Sequence, residues 1–329
     1  MKARWQAWAK ERGYRMVWGD PSEVGEALSE IDSRRRRGEL EARFDEENLS
    51  QFTPLDEETI RGMRTLVIIA VRRPAHRLLF RFKGGALEAI VPPTYVNYSL
   101  LPDRIRADLE RNVLNGQGQI RHIQIPLKLV AARLGLVTYG RNNLTYLRGW
   151  GSYHQLAGFL TSVDLQPKQS FIPCSEPEAG HGGSGERLQP ACRNCRRCVS
   201  ACPTGALAGD RFLARAERCL TLTNEQPGAW PDWIPPSAHH CLVGCLLCQQ
   251  ACPVNRKRLE LEDLTTVFSS SQMAKILAGE ANQTDPAWNQ ISAKLTQAGL
   301  GGYLPVLSRN LRALERANGA VGRTMPCRV

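Results

Sequence analysis

The chain has 329 residues, too many for a minimal electron-carrier domain and enough for two domains. Hydrophobic residues make up 42% of it, which is sufficient for a globular core. Lys and Arg outnumber Asp and Glu by 43 to 32, and this basic balance favours an acidic partner such as RNA, an acidic electron carrier or a phosphate-bearing cofactor. We find neither a secretory signal pattern nor an apolar run of membrane-spanning length, so we expect a cytoplasmic protein with no membrane partner.

The first part of the chain, residues 1–174, predicts a mixed α/β domain. Helical periodicity predicts helices over the ranges 5–12, 21–37, 102–112 and 126–134. Strands are predicted at 14–18 and 65–71, and the second run is continuous and β-branched, as expected of a buried strand. Residues 155–162 fit either a strand or a helix, because their period does not decide between the two.

The rest of the chain divides into three segments. Residues 175–190 are polar and Gly-rich, which is the composition of a linker. Residues 191–256 contain two dense cysteine blocks, and residues 257–329 look helical, with segments at 274–279 and 303–317. We therefore predict an α+β chain with a mixed α/β domain, a linker, a two-cluster ferredoxin-type domain and a short helical C-terminal region.

The two cysteine blocks carry the strongest signal in the sequence. They read Cys192-Arg-Asn-Cys195-Arg-Arg-Cys198-Val-Ser-Ala-Cys202-Pro203 and Cys241-Leu-Val-Gly-Cys245-Leu-Leu-Cys248-Gln-Gln-Ala-Cys252-Pro253. Closely spaced cysteines followed by Cys-Pro are typical of proteins with two [4Fe–4S] clusters, in which the cysteine before the proline binds the other cluster. A zinc site needs only four ligands, usually in two separated pairs, so two clusters are the better interpretation.

This crosswise rule assigns the cysteines to two ligand sets. The first cluster is predicted to be bound by Cys192, Cys195, Cys198 and Cys252. The second is predicted to be bound by Cys202, Cys245 and Cys248, with either Cys219 or Cys241 as its fourth ligand, and spacing alone does not separate those two. Cys174 and Cys327 lie outside the pattern and are interpreted as ordinary free cysteines.

These blocks, together with Arg218-Cys219-Leu220 and the run from Ala131 to Asn143, resemble the epoxyqueuosine reductases and, more distantly, the reductive dehalogenases. The resemblance covers roughly residues 60–260. It implies two [4Fe–4S] clusters and a cobalamin held by a degenerate nitroreductase-like domain, and it favours Cys219 over Cys241. It also implies that Pro126 and the turn Gly140-Arg141-Asn142-Asn143 contact the cofactor, although a turn of this composition needs no ligand.

Several positions depart from the pattern of those reductases. Ile123 stands where they have an aspartate that donates a proton to the substrate, and Leu129 stands where they have a glutamate. Because isoleucine cannot donate a proton, we expect a reaction related to epoxyqueuosine reduction but not identical with it. Tyr95 and Tyr98 are the remaining candidate acids; alternatively, these tyrosines cap a core with their hydroxyls at the surface. The chain looks closer to a set of double-cluster relatives without an assigned reaction.

Two functions remain as hypotheses. In the first, an iron–sulfur oxidoreductase takes electrons from a donor such as a ferredoxin or flavodoxin and passes them through both clusters to a corrinoid-containing site. Its acceptor would be an unknown small molecule or protein. In the second, the chain is an electron carrier or reductive activator for a partner protein and has no substrate pocket. A third and weaker idea, tRNA modification, rests on the basic charge and on the resemblance.

Overall fold

The computed structural model describes residues 1–82, 85–95, 100–165, 169–171, 188–209, 213–279 and 284–319. The chain forms two compact units, Met1–Arg72 with Ser99–Cys195, and Arg73–Tyr98 with Arg196–Val329. This division is interleaved, whereas the sequence predicted consecutive segments at 1–174, 175–190, 191–256 and 257–329. The difference arises because residues 73–98 group with the C-terminal part of the chain.

Each unit contains both α-helices and β-strands. The strands are β1 Arg15–Gly19, β2 Thr65–Arg72, β3 Ala75–Phe82, β4 Gly85–Val91, β5 Ile120–His122, β6 Thr138–Tyr139, β7 Thr145–Tyr146, β8 His154–Thr161, β9 Gln169–Phe171 and β10 Leu261–Phe268. The α-helices are α1 Lys2–Glu11, α2 Glu23–Arg36, α3 Ala42–Phe44, α4 Glu57–Ile60, α5 Leu100–Leu109, α6 Leu127–Arg133, α7 Arg197–Ser200, α8 Leu220–Glu225, α9 Leu247–Gln250, α10 Ser270–Ala278, α11 Pro286–Gln297 and α12 Leu304–Gly319. The helices predicted at 5–12, 21–37, 102–112 and 126–134 correspond to α1, α2, α5 and α6.

The first unit is built on a five-stranded sheet with the strand order β5-β8-β2-β1-β9. All of its pairings are antiparallel. The buried strand predicted at 65–71 is confirmed as β2, which pairs with β8 on one edge and with β1 on the other. The ambiguous range 155–162 falls on β8, which is a strand because it pairs with β2 and β5, and all eight of its residues are buried.

Helices cover both faces of this sheet. Leu66 and Ile68 of β2 belong to the core that includes α2 and α6, whereas Val67 and Ile69 belong to the core that includes α1 and α5. Successive strand residues point to opposite faces, so a strand covered on both faces is apolar at every position. This packing explains why the run at 65–71 is continuously hydrophobic rather than alternating.

The second unit contains a three-stranded sheet with the order β10-β3-β4. β3 and β4 form an antiparallel hairpin, and β10 runs parallel to β3 with Phe268 opposite Phe80. Their rings stack with centroids 4.8 Å apart. The helices α10, α11 and α12 contribute Met273, Trp288 and Leu311 to the same core.

The prediction of a helical region at 257–329 is confirmed for α10 to α12 but wrong for Leu261–Phe268, which is β10. Local periodicity missed this strand because its pairing partner, β3, lies far away in the sequence. His76 on β3 joins the strands, with Nδ1 2.6 Å from Glu262 Oε2 and Nε2 2.8 Å from Thr266 Oγ1.

Within the described residues, none of the helices combines the length and the hydropathy needed to cross a lipid bilayer.

Candidate iron–sulfur site

The two cysteine blocks adopt the same local structure, fifty residues apart. The short helix α7 begins two residues after Cys195, and α9 begins two residues after Cys245. Each helix contains the third cysteine of its block, and the two helices pack against each other. In both blocks the N–H of the cysteine before the proline donates to the carbonyl three residues earlier, at 3.2 Å. The repeat therefore extends from the sequence spacing to the backbone.

This repeat pairs the cysteines of the two blocks at three positions but not at the fourth. The equivalent pairs are Cys195 with Cys245, Cys198 with Cys248, and Cys202 with Cys252. The position equivalent to Cys192 is Leu242, whereas Cys241 lies one residue earlier. None of these cysteines forms a disulfide bond with another described residue. The second block therefore has no local counterpart of Cys192.

Cys219 lies between the blocks, directly before α8. Burial raises the pKa of the Cys219 thiol, and the charge of Cys202 raises it further, while N–H groups of α8 partly offset the effect. Burial likewise raises the pKa of Cys245 to about 12, with contributions from Cys219 and Cys202. Cys219 and Cys245 therefore each lie within electrostatic range of Cys202, and Cys245 also of Cys219. A buried thiol of raised pKa stays protonated until a metal takes the place of the proton.

Cys241 has a different neighbour, Tyr95. Burial raises the pKa of Tyr95 well above its ordinary value, and the charges of Glu225, Tyr303 and Cys241 raise it further. The Tyr95 hydroxyl donates a short hydrogen bond to Glu225, whose own pKa is raised by burial. The hydroxyl proposed as a candidate acid is thus held by a carboxylate, and its raised pKa weakens it as a proton donor. Tyr98 lies outside the described residues.

Two buried asparagines support the loop of the second block, and the sequence analysis did not identify either. Asn224 Nδ2 donates to the Gly244 carbonyl at 2.6 Å. Asn310 Nδ2, from α12, donates to the Asn224 carbonyl at 2.8 Å and to the Leu242 carbonyl at 2.9 Å. These contacts join residues far apart in the sequence, and no local pattern distinguishes such asparagines from exposed ones.

His240 orients the same loop from its other end. Its Nδ1 lies 2.8 Å from the Ala238 carbonyl, and the Leu246 N–H donates to its Nε2 at 3.0 Å. A carbonyl can only accept, so Nδ1 carries the proton and Nε2 is the acceptor. Burial lowers the pKa of His240, which keeps this neutral form at physiological pH. The ring therefore positions the backbone directly beside Cys245.

The turn predicted to contact a corrinoid lies in the first unit, between β6 and β7. The Asn143 N–H donates to the Gly140 carbonyl at 2.9 Å, and Asn143 has a left-handed φ of 60°. The buried Asn142 donates through Nδ2 to the Tyr146 hydroxyl at 2.9 Å. A Cβ on Gly140 would collide with Tyr146 and would lie 2.6 Å from Asn142 Oδ1, so only glycine fits there. The chain's own contacts thus give this turn its shape.

Arg141, in the middle of the turn, points its guanidinium at the first cysteine block. Its Nε donates to the Cys195 carbonyl at 3.1 Å, and its Nη2 donates to the Cys192 carbonyl at 2.9 Å and to the Arg193 carbonyl at 3.3 Å. All four residues belong to the first unit. The resemblance assigned Arg141 to the cofactor, whereas its observed hydrogen bonds go to the cysteine block.

Pro126 precedes α6, and its carbonyl accepts the N–H groups of Leu129 and Val130 at 2.9 and 3.1 Å. Ile123, three residues earlier, is buried in the apolar core that α6 covers, and Leu129 packs against the same core. The position of the expected proton-donating aspartate is therefore part of the hydrophobic core in this chain.

Within the described part of the chain, no three His, Cys, Asp or Glu side chains converge closely enough to bind one metal ion together. A [4Fe–4S] cluster does not require that convergence, because each of its four irons takes its own cysteine sulfur. The closely spaced thiols of the two blocks, which form no disulfide with a described residue, supply the donor type that such clusters bind.

Comparison with known families identifies the class of the cysteine-rich segment. Residues 191–255 match the 4Fe-4S double cluster binding domain. The segment that contains both cysteine blocks is therefore a double-cluster iron–sulfur domain.

Comparisons with individual proteins confirm the resemblance to epoxyqueuosine reductases. The chain is 32% identical to epoxyqueuosine reductase from Lactococcus garvieae (strain Lg2) over 127 residues, which cover 39% of this chain and 31% of that relative. The matched region thus spans about a third of the relative's length. Its fold is similar to that of the Streptococcus thermophilus epoxyqueuosine reductase, with a TM-score of 0.68 at 19% identity over 98% of this chain and 82% of the other. A second epoxyqueuosine reductase structure, which contains an epoxyqueuosine-modified tRNA-Tyr stem loop, matches with a TM-score of 0.63 at 20% identity over 94% and 80% of the two chains.

Proposed function

We propose that the chain is an iron–sulfur oxidoreductase that carries electrons through two [4Fe–4S] clusters. The observation that carries the proposal is the match of residues 191–255 to a double-cluster domain, whose two blocks repeat the same backbone structure. When bound, such clusters supply one-electron transfer at low potential. The proposed ligands of the first cluster are Cys192, Cys195, Cys198 and Cys252, and those of the second are Cys202, Cys219, Cys245 and Cys248.

Cys219 is preferred to Cys241 as the fourth ligand of the second cluster. Cys219 interacts electrostatically with Cys202 and Cys245, two of the other proposed ligands of this cluster. We predict that Cys219→Ala loses one cluster, leaving about four irons per chain, because each cube takes four cysteine ligands. Cys241→Ala should retain about eight irons, and the matched pair of variants is compared by iron and sulfide analysis after anaerobic purification. The opposite result would assign the fourth ligand to Cys241.

We further propose a reductase related to the epoxyqueuosine reductases, with electrons delivered to a corrinoid. The similarity of fold over 98% of the chain supports the relationship. Pro126, Gly140, Arg141, Asn142 and Asn143 are the residues that the resemblance assigns to the corrinoid. A different reaction from epoxyqueuosine reduction is proposed because Ile123 is buried in an apolar core and has no proton to donate.

The substrate class that best suits this proposal is tRNA. One structure of similar fold contains a modified tRNA stem loop, and the present chain carries a net charge of +11. Basic residues that neutralise phosphates release counterions, so binding should weaken steeply as salt rises. Fluorescence anisotropy with a labelled tRNA stem loop, titrated over a salt series, tests this step. Binding that weakens with salt to the same extent for the stem loop and for an unrelated RNA of equal length would argue against tRNA as the substrate.

The first experiment is anaerobic purification from a host supplied with corrinoid, followed by iron, sulfide and cobalt analysis of one sample. About eight irons with stoichiometric cobalt would support the corrinoid reductase. About four irons or fewer would overturn the two-cluster proposal itself.

A second candidate function is an electron carrier or reductive activator for a partner protein. Two observations favour it: Ile123 removes the expected proton donor, and Arg141 in the turn assigned to the corrinoid is bonded to the first cysteine block. About eight irons without cobalt, even after incubation with cobalamin, would select this function. In either case the electron donor would be a small protein such as a ferredoxin or flavodoxin, which can be tested by the rate of cluster reduction with each donor.

A further inference from the structure

We infer that Arg141 is a positioning residue for the first [4Fe–4S] cluster, fixing the loop that carries Cys192 and Cys195 and placing a permanent positive charge beside it. The inference rests on the proposed function, because it requires those two cysteines to be cluster ligands. It gives a role to a side chain that the sequence pattern had assigned to another cofactor.

The guanidinium of Arg141 donates hydrogen bonds to three backbone carbonyls of one turn. Nε and Nη2 reach the carbonyls of Cys195 and Cys192 at 3.1 and 2.9 Å, and Nη2 also reaches Arg193 at 3.3 Å. Guanidinium N–H groups form a rigid planar fork, so contacts to two cysteine carbonyls from one fork fix their relative position. Residues that orient metal ligands in this way affect metal affinity even though they do not touch the metal.

The backbone around Arg141 is organised to deliver it to this turn. The Gln189 N–H donates to the Tyr139 carbonyl at 2.7 Å, and Leu188 forms a bridge with Tyr139, so the chain entering the first block pairs with β6. Beyond β6, the tight turn at Gly140 points Arg141 back at the cysteines. The short helix Pro190–Cys192 uses the N–H of Cys192, which donates to the Gln189 carbonyl at 2.8 Å. Arg141 binds carbonyls at the C-terminal end of this short helix and just beyond it.

A positive charge at this position also affects the redox chemistry. Reducing a cluster adds an electron, and a nearby cation stabilises the more negative state, so Arg141 should raise the potential of the first cluster. Lysine would retain the charge but not the planar fork, because its ammonium is a compact point charge on a flexible stem. Methionine would remove both. The two substitutions therefore separate positioning from charge.

The test compares Arg141→Lys and Arg141→Met with a matched control, Arg133→Met, in the clustered protein. Arg133 lies on α6 in the same unit, and its Nε bonds Glu23 at 3.1 Å. Iron release to ferrozine is followed over time, and the potentials of the two clusters are measured by EPR-monitored redox titration. Both Arg141 variants should release half of their iron about 10 to 100 times faster than wild type, the usual effect of removing a residue that orients a ligand.

The potentials distinguish tuning from a purely structural role. Arg141→Met should lower the potential of one cluster and leave the other unchanged, Arg141→Lys should keep both near wild type, and Arg133→Met should alter neither quantity. Iron release and potentials equal to wild type in both Arg141 variants would overturn the inference. If the wild-type protein binds no clusters, the proposed function fails first. If Arg141→Met does not fold, the iron release of Arg141→Lys still decides the positioning role.

Discussion

Gly244→Ala is the substitution whose cost can be worked most directly from the structure. Gly244 lies directly before Cys245 and has a left-handed φ of 67°. A Cβ there would lie 2.6 Å from the Tyr95 hydroxyl oxygen and 2.9 Å from two carbons of its ring. The backbone conformation should cost about 1–2 kcal/mol, and the overlap should add about 1–3 kcal/mol because Tyr95 is held by Glu225 and cannot move away freely.

Gly279→Ala is the matched control for this prediction. Gly279 belongs to the same unit and has a φ of 73°, but among the described residues no non-neighbouring heavy atom lies within 4 Å of the position that its Cβ would occupy. Guanidinium unfolding of both variants, followed by circular dichroism and by the visible absorbance of the clusters, should show Gly244→Ala to be less stable by about 1–3 kcal/mol. Equal losses would mean that contact with Tyr95 contributes nothing, and the reasoning would be refuted.

Two further predictions concern partly buried carboxylates. Because burial raises the pKa of Glu225 above 4.5, the folded state favours its protonated form, and this stabilisation is lost as the pH rises through the raised pKa. Glu225→Gln should therefore gain stability relative to wild type as the pH rises from 4.5 through the raised pKa, measured as unfolding midpoints across a pH series; a constant difference would contradict this. Burial alone would raise the pKa of Asp108, but hydrogen bonds from Arg12 and Trp8 outweigh it and lower the pKa. Asp108→Asn should reduce the free energy of unfolding by about 1.5–3 kcal/mol at pH 7. This loss should shrink as the pH falls below about 4, because the wild-type carboxylate then loses its charge as well. A loss that stays the same at low pH would exclude the ion pair as its cause.

The elements that sequence reasoning predicted are those whose pattern is local. The continuous apolar run of β2 reflects burial on both faces, and the periodicity of α1, α2, α5 and α6 reflects one buried face each. The hairpin of β3 and β4 was not predicted, and the β10 segment was expected to be helical. β10 depends on a parallel pairing with β3, and neither strand contains the information that the other lies beside it.

The candidate site likewise has features that follow from a short stretch of sequence and features that arise only on folding. The spacing of the cysteines alone determined the chemistry, because closely spaced thiols on a short turn followed by Cys-Pro suit an iron–sulfur cluster whatever surrounds them. Only the tertiary structure brought Cys219 within interaction range of Cys202 and Cys245, and only it directed Arg141 to carbonyls more than fifty residues away. The physical reason is that ligand type and turn geometry are properties of a short segment, whereas charge and support around a site come from segments that folding brings together.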